Sequence, residues 1–442
     1  MKDYTTEEYL QTLIQQLRSK KARELVETEI KNHIEDQILD YQQQGMTEEQ
    51  AMTAAVKDMG DPVETGVALD RIHRPRTAWG MIFLMGIITI SSILAQAMIF
   101  SAFSGARRSY FYHVAGNLAG FCLMFLIYRL DYSRIGRHAR SFAVSMLVLF
   151  TGLWLFGGVA INGAVRYVSF RGIHFFLPPL LYLYVPAYGA LLFHYRNEER
   201  KGIIKSLLWA MIPFLLAWEL TSSISTALTL FYTLILLFSL AVGKHWFNLK
   251  RIKLFLSCMW TVLLAGPLLF LFLFFDHLHS FRQDRILAFL LQNGQNYTAN
   301  LLTGIWHASH FWGNAGLSGG SETDAILIPS YESDYMVTAL ASTGGILASL
   351  LAGILILLLI LTIFFICHRQ KNQLGRIMGY GCGLVLLLQT IINFGVNLGL
   401  LPIVATTLPF FSYGNSSLLV SYGLMGIVLS IYRYQSLLKP EL

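Results

Sequence analysis

The chain is 442 residues long, 55% hydrophobic, 13% aromatic and only 13% charged. Soluble domains carry about a quarter charged residues, so these figures exclude an ordinary water-soluble enzyme as well as a disordered or fibrous chain. The net charge of +7 is unevenly divided: residues 1–70 hold 15 acids and 7 bases, whereas residues 71–442 hold 11 acids and 26 bases. An acidic polar segment therefore precedes a basic, strongly apolar one, which predicts two domains in different solvents, 1–73 and 74–442. The bases sit in short groups between apolar runs of membrane length, which argues against nucleic acid as a partner. Four cysteines (Cys122, Cys258, Cys367, Cys382) form no C-x-x-C pair and read as small buried apolar residues. The start, Met1-Lys2-Asp3-Tyr4, has no apolar core, so no signal peptide is read there.

Residues 1–73 predict three or four short amphipathic helices. Apolar residues recur at helical spacing (Leu10, Leu13, Ile14, Leu17, then Ile30, Ile34, Ile38). Thr5 with Glu8, and Thr47 with Gln50, have capping-box spacing, and Asp61-Pro62 fits an N-cap followed by proline at the first helical position. The stretch "GMTEEQAMTAAVKDMGDPVETG" resembles small helical prefix domains found ahead of some bacterial membrane proteins, and no catalytic constellation accompanies it. A regulatory or docking role is expected.

A helix needs about 20 apolar residues to cross the hydrocarbon layer. About ten spans are predicted: 79–102, 111–130, 142–161, 175–193, 206–218, 226–242, 254–275, 346–367, 377–400 and 417–431. The fifth is short and contains Pro213. With the prefix inside, the inner connections carry 17 Lys and Arg and the outer ones 6, so the positive-inside rule puts both termini in the cytoplasm. The expectation is an all-α polytopic integral membrane protein with a small cytoplasmic helical N-terminal domain. Its longest connection, about 276–345 between spans seven and eight, is then extracytoplasmic, and loops of that length usually carry function or short helices of their own.

Two stretches are richer in polar and special residues than loops require. In "WGNAGLSGGSETDAILIPSYESDYMVTALASTGG" (312–345), Asp334 sits at the mouth of the eighth span, where a carboxylate must face a polar cavity rather than lipid. In "LQTIINFGVNLGLLPIVATTLPFFSYGNSSLL" (388–419), Asn393, Asn397, Ser412 and Asn415 surround two prolines and several glycines. Irregular polar backbone at membrane depth is tolerated only where protein or water covers it. Together the two stretches predict a polar groove open to the outside. His307 and His310 have no third ligand at suitable spacing, so no metal site is read from the histidines.

These stretches also carry a family likeness. "NFGVNLGLLPIVATTLPFFSYGNSS", "IPSYESDY" and "INGAVRYVSF", in their places in the chain, resemble signatures of the SEDS proteins (shape, elongation, division and sporulation), the RodA/FtsW/SpoVE group, across roughly residues 80–435. That resemblance implies a peptidoglycan glycosyltransferase that polymerises lipid II on the outer face of the bacterial cytoplasmic membrane. A class B penicillin-binding transpeptidase is the implied partner, and Asp334 the implied catalytic aspartate. The carboxylate would act as general base or hold a divalent cation, Mg²⁺ or Mn²⁺. Arg166, Arg171, Arg282 and Arg285, all placed outside, are suited to phosphate contacts.

The likeness breaks at two places. A Glu/Lys pair usual at the start of span four is replaced by Leu180 and Leu183, and an acidic element near span five is degraded to Trp218-Glu219-Leu220, leaving Glu219 as the substitute acid. The fold tolerates loss of a whole ion pair, since apolar replacement of both partners can be neutral. The departures keep two other readings open: a catalytically silent scaffold that binds a lipid-linked precursor, and a precursor-translocating transporter.

Overall fold

The computed structural model describes residues 4–102, 107–161, 164–170, 173–221, 223–274, 297–315 and 328–435. The chain divides into two compact units, one running to Ala78 together with the chain from Tyr432, the other covering Trp79–Ile431.

The first unit holds four helices, α1 (Thr6–Gln15), α2 (Lys20–Gln43), α3 (Glu48–Asp58) and α4 (Pro62–His73). α2 is far longer than the short helices expected. The Thr5–Glu8 capping box closes the start of α1, and Asp61 accepts from the Val63 and Glu64 N–H groups ahead of α4. Tyr9, Leu13, Leu17, Val26, Ile34, Ala55 and Val56 form the core. Asp70 is buried, and one carboxylate oxygen accepts the Arg18 backbone N–H at 2.9 Å.

The second unit is a multi-pass membrane bundle. Its long helices are α5 (Trp79–Ala102), α6 (Arg107–Arg129), α8 (Ala139–Gly157), α10 (Glu199–Thr221), α11 (Ile224–Gly243) and α12 (Ile252–Phe274). Within the large connection lie α13 (Tyr297–Ala308) and α14 (Met336–Gly344), and past it come α15 (Ile346–Arg369), α16 (Gln373–Asn397) and α17 (Asn415–Arg433). The short α7 (Ser133–Arg137) and α9 (Tyr184–His194) complete the set. Among the described residues, eight helices are long and apolar enough to span a membrane. Large apolar side chains such as Phe83, Ile90, Val148 and Ile354 stay exposed on them, as a lipid solvent allows.

Three details depart from the sequence reading. The fifth span is not short: α10 runs through Pro213 for 23 residues. The fourth span is not one helix, because Pro178 and Pro179 open a 3-10 helix (Pro178–Leu183) before the eleven-residue α9. A three-stranded antiparallel meander, β1 (Gly158–Ile161), β2 (Ala164–Phe170) and β3 (Ile173–Phe176), follows α8 where no strand was foreseen. Cys367 and Cys382 are buried as expected, but Cys122 and Cys258 are exposed on lipid-length helices.

α16 is the hub of the bundle and packs on α9, α11 and α15. Its contact with α9 is close because Gly189 lies against the Met378 backbone, where an added Cβ would stand 3.2 Å from Cα. Small residues that let backbones approach replace the missing hydrophobic drive between helices in lipid.

Candidate active site

Over their described residues the two polar stretches meet. The large connection ends earlier than 345: residues 336–344 form α14, a helix whose first eight residues are buried, so Asp334 lies just ahead of a half-helix rather than deep in a loop. Gly345 separates α14 from α15. Its φ of +87° suits glycine, and a Cβ there would stand 2.7 Å from the Phe311 carbonyl oxygen. That tight crossing is secured by Ile346 N–H to the His310 carbonyl at 3.0 Å and Leu347 N–H to the Phe311 carbonyl at 3.2 Å.

Asp334 is the centre of the arrangement, and it is not a helix cap. The cap position belongs to Tyr335, and the Asp334 carboxylate instead accepts the backbone N–H of Thr406 from the second stretch. Burial pushes this carboxyl up to about 7, against which the Thr406 N–H is the smaller, opposing influence. Two residues earlier, burial also raises Glu332; Ser109 bonds its carboxyl, while Oε2 has no hydrogen-bond partner.

The asparagines hold Asp334 by its backbone. Asn393 Nδ2 donates to the Asp334 carbonyl at 3.1 Å and to the Thr406 carbonyl at 2.8 Å. Asn397 Nδ2 donates to the same Asp334 carbonyl at 3.0 Å, and its Oδ1 accepts from Thr338 N–H at 3.1 Å and Thr338 Oγ1 at 2.8 Å. Ser412 stitches the two stretches together: its Oγ donates to the Ser333 carbonyl at 2.6 Å and accepts the Leu408 N–H at 2.8 Å. Tyr413 N–H adds a bond to the Glu332 carbonyl at 2.7 Å. These side chains orient backbone, and Asn393, Asn397 and Ser412 are themselves buried.

Two further residues emerge that sequence reasoning passed over. Gln96 on α5 is fully buried, and its Nε2 donates to the carbonyls of both Glu332 at 3.0 Å and Phe411 at 2.9 Å. Ser92, one turn away, donates to the Phe410 carbonyl at 2.7 Å and contacts His113 Nε2 at 2.9 Å. His113 is linked in turn to Asn117, whose Oδ1 accepts from Tyr422 OH at 2.9 Å. A polar seam through the first two spans thus supports the loop that presents Asp334.

The remaining candidates lie elsewhere. Arg166 is in β2, half-buried, and its carbonyl accepts the Leu177 N–H at 2.8 Å. Glu219 is exposed near the end of α10. Asn415 begins α17, where its Oδ1 has no hydrogen-bond partner. Arg171, Arg282 and Arg285 fall outside the described residues. Leu180 and Leu183 line an apolar crevice of about 80 Å³ with Met146, Leu147, Phe150 and Leu153.

Fold and site define a multi-pass membrane protein with a partly buried carboxylate presented between two polar segments at the mouth of a broken helix. The chain belongs to the FtsW/RodA/SpoVE family, described as cell cycle proteins, whose family model matches residues 74–437. It is 27% identical over 390 residues to a probable peptidoglycan glycosyltransferase FtsW of Wigglesworthia glossinidia brevipalpis, covering 80% of this chain and 93% of that one. Against the probable peptidoglycan glycosyltransferase FtsW of Coxiella burnetii the identity is 30% over 308 residues, or 66% and 77% of the two chains. The fold is similar to a chain of a peptidoglycan synthase complex that coordinates polymerization and crosslinking, with a TM-score of 0.66 at 20% identity, covering 81% and 98%. It is also similar to the rod shape determining protein RodA of Thermus thermophilus, with a TM-score of 0.55 at 18% identity over the same shares.

Proposed function

We propose that this protein is a peptidoglycan glycosyltransferase that extends glycan strands from lipid II at the outer face of the cytoplasmic membrane. Both termini lie in the cytoplasm in this reading, and a class B penicillin-binding transpeptidase works beside it. The observation that carries the proposal is the Asp334 carboxyl, partly buried, raised by desolvation to about 7 and held by its own backbone from two sides. A general base works best when its pKa lies near the working pH.

In the reaction a sugar hydroxyl oxygen bonds to the anomeric carbon of the donor. The bond from that carbon to the pyrophosphate oxygen breaks, and undecaprenyl pyrophosphate leaves with the bonding pair. The hydroxyl proton passes to the Asp334 carboxylate. A divalent cation, Mg²⁺ or Mn²⁺, would be held by the hard carboxylate oxygens of Asp334 together with substrate phosphates, and it would supply charge neutralisation for the leaving group.

Purified full-length protein given lipid II and a divalent cation should make glycan polymer, resolved by gel, and Asp334→Ala should abolish it. Polymer from the Ala variant equal to wild type removes Asp334 from the mechanism. The apolar crevice at Leu180 and Leu183 favours a second reading, a silent scaffold that binds the precursor without turning it over. That reading predicts lipid II binding with no polymer from the wild type itself.

A further inference from the structure

A separate cluster lies where three helix ends converge: the start of α8, the end of α9 and the start of α10. Tyr195 is buried there, and its hydroxyl accepts from Arg140 Nε at 3.1 Å and from Trp209 Nε1 at 3.0 Å. The Arg140 guanidinium carbon stands 5.1 Å from the Tyr195 ring centre, and Lys205 Nζ stands 5.2 Å from the same ring. Two cations therefore share one aromatic ring. A single carboxylate, Glu198, answers them, bonded to Lys205 Nζ at 2.5 Å.

Arg140 is left incompletely used. Its Nε is fixed by the tyrosine hydroxyl and its guanidinium carbon stays over the ring, yet no protein acceptor among the described residues takes its terminal nitrogens. A guanidinium already oriented in this way presents two parallel donors, the arrangement that matches two oxygens of a phosphate. The site's place at span ends, beside a tryptophan and a tyrosine, is the level at which lipid headgroups lie. Lys205 is the seventh residue of α10, and a long basic side chain near a span end can carry its charge to the headgroup level.

We propose that Arg140 and Lys205, positioned by Tyr195, bind the phosphate of an anionic phospholipid. The proposal stands independently of the role given to Asp334. Basic pockets between spanning helices are a recurrent means of holding acidic headgroups. Arg140 takes the phosphate through its terminal nitrogens, and Lys205 shares its charge between Glu198 and the lipid.

Native mass spectrometry of the full chain in mild detergent tests this, with phosphatidylglycerol, phosphatidylcholine and inorganic phosphate as probes. Wild type should retain phosphatidylglycerol over phosphatidylcholine. Arg140→Gln with Lys205→Gln should lower that retention about tenfold, whereas Arg251→Gln with Lys253→Gln should leave it unchanged. Arg140→Lys, which keeps charge but loses the fork, should fall between, and its thermal transition in detergent should match wild type. Equal retention of the two lipids, or full retention by the double variant, overturns the proposal. Displacement of the lipid by millimolar inorganic phosphate assigns the site to a free anion and overturns the lipid source; failure of phosphate to compete supports it.

Discussion

Asn397 donates to the backbone carbonyl of Asp334 at 3.0 Å while its own carbonyl oxygen takes both donors of Thr338. One amide thus ties the carboxylate-bearing turn to the first turn of α14. Asn397→Leu removes a donor and an acceptor and leaves buried partners unsatisfied, at about 1–3 kcal/mol each. The variant should melt earlier in detergent and polymerise at least about tenfold more slowly, roughly 1.4 kcal/mol of barrier. Wild-type rates from folded Asn397→Leu would show that Asp334 needs no such support.

Activity should depend on pH through Asp334. Its carboxyl is raised by burial to about 7, so the basic form gains population as the pH rises through that value. The rate of lipid II polymerisation should climb between pH 6 and 8 in the manner of a single titration near about 7. A rate flat down to pH 5 would mean an ordinary, solvated carboxylate.

The same shift has a cost in stability. A carboxyl with a folded pKa near 7 and an unfolded value of 3.8 binds its proton more tightly in the native state. Native stability attributable to it is therefore full below 3.8, declines as the pH rises to 7 and levels off above. Asp334→Asn, inactive but never charged, should melt above wild type at pH 8, with the gap shrinking as the pH falls from 7 toward 4. Differential scanning fluorimetry reads this directly.

Gln96→Met keeps the length of the side chain but strips both donors from the Glu332 and Phe411 carbonyls. The two loops would lose their shared clamp, with a loss of about 1–3 kcal/mol per stranded group. Polymerisation should fall while lipid II binding, measured by retention in native mass spectra, stays near wild type. Equal loss of both would make Gln96 a general support of the fold.

Gly345→Val should be poorly tolerated, because φ is +87° and the Phe311 carbonyl oxygen would stand 2.7 Å from the new Cβ. Strain of about 1–3 kcal/mol is expected. Gly86→Ala in α5, with nothing within 4 Å, should leave the melting temperature unchanged. Matched losses in both variants would remove the special status of the break.

The long helices were legible because each is an apolar run of membrane length, and the caps of α1 and α4 because Thr5, Glu8, Asp61 and Pro62 act locally. Asp334 was legible as a carboxylate that lipid cannot hold. The strands at 158–176 were not, since alternation there is short and broken by Asn162-Gly163. α14 was hidden because "MVTALASTGG" is neither strongly apolar nor flanked by a side-chain cap. Gln96 and His113 each looked like a stray polar residue in an apolar run. Yet Ser109, His113 and Asn117 recur every fourth position, a polar stripe on one face of α6 that pattern alone displays. What no pattern contains is its counterpart: the carbonyls that Gln96 meets are 236 and 315 positions away in the chain.

Because Gly345 interrupts the helix, α14 and α15 are two rods with a single-residue pivot rather than one long strut. The His310 and Phe311 carbonyls pin the corner from one side and Ser349 Oγ donates to the Val337 carbonyl across it, so the turn that carries Asp334 takes its direction from three packed segments rather than from the axis of the span.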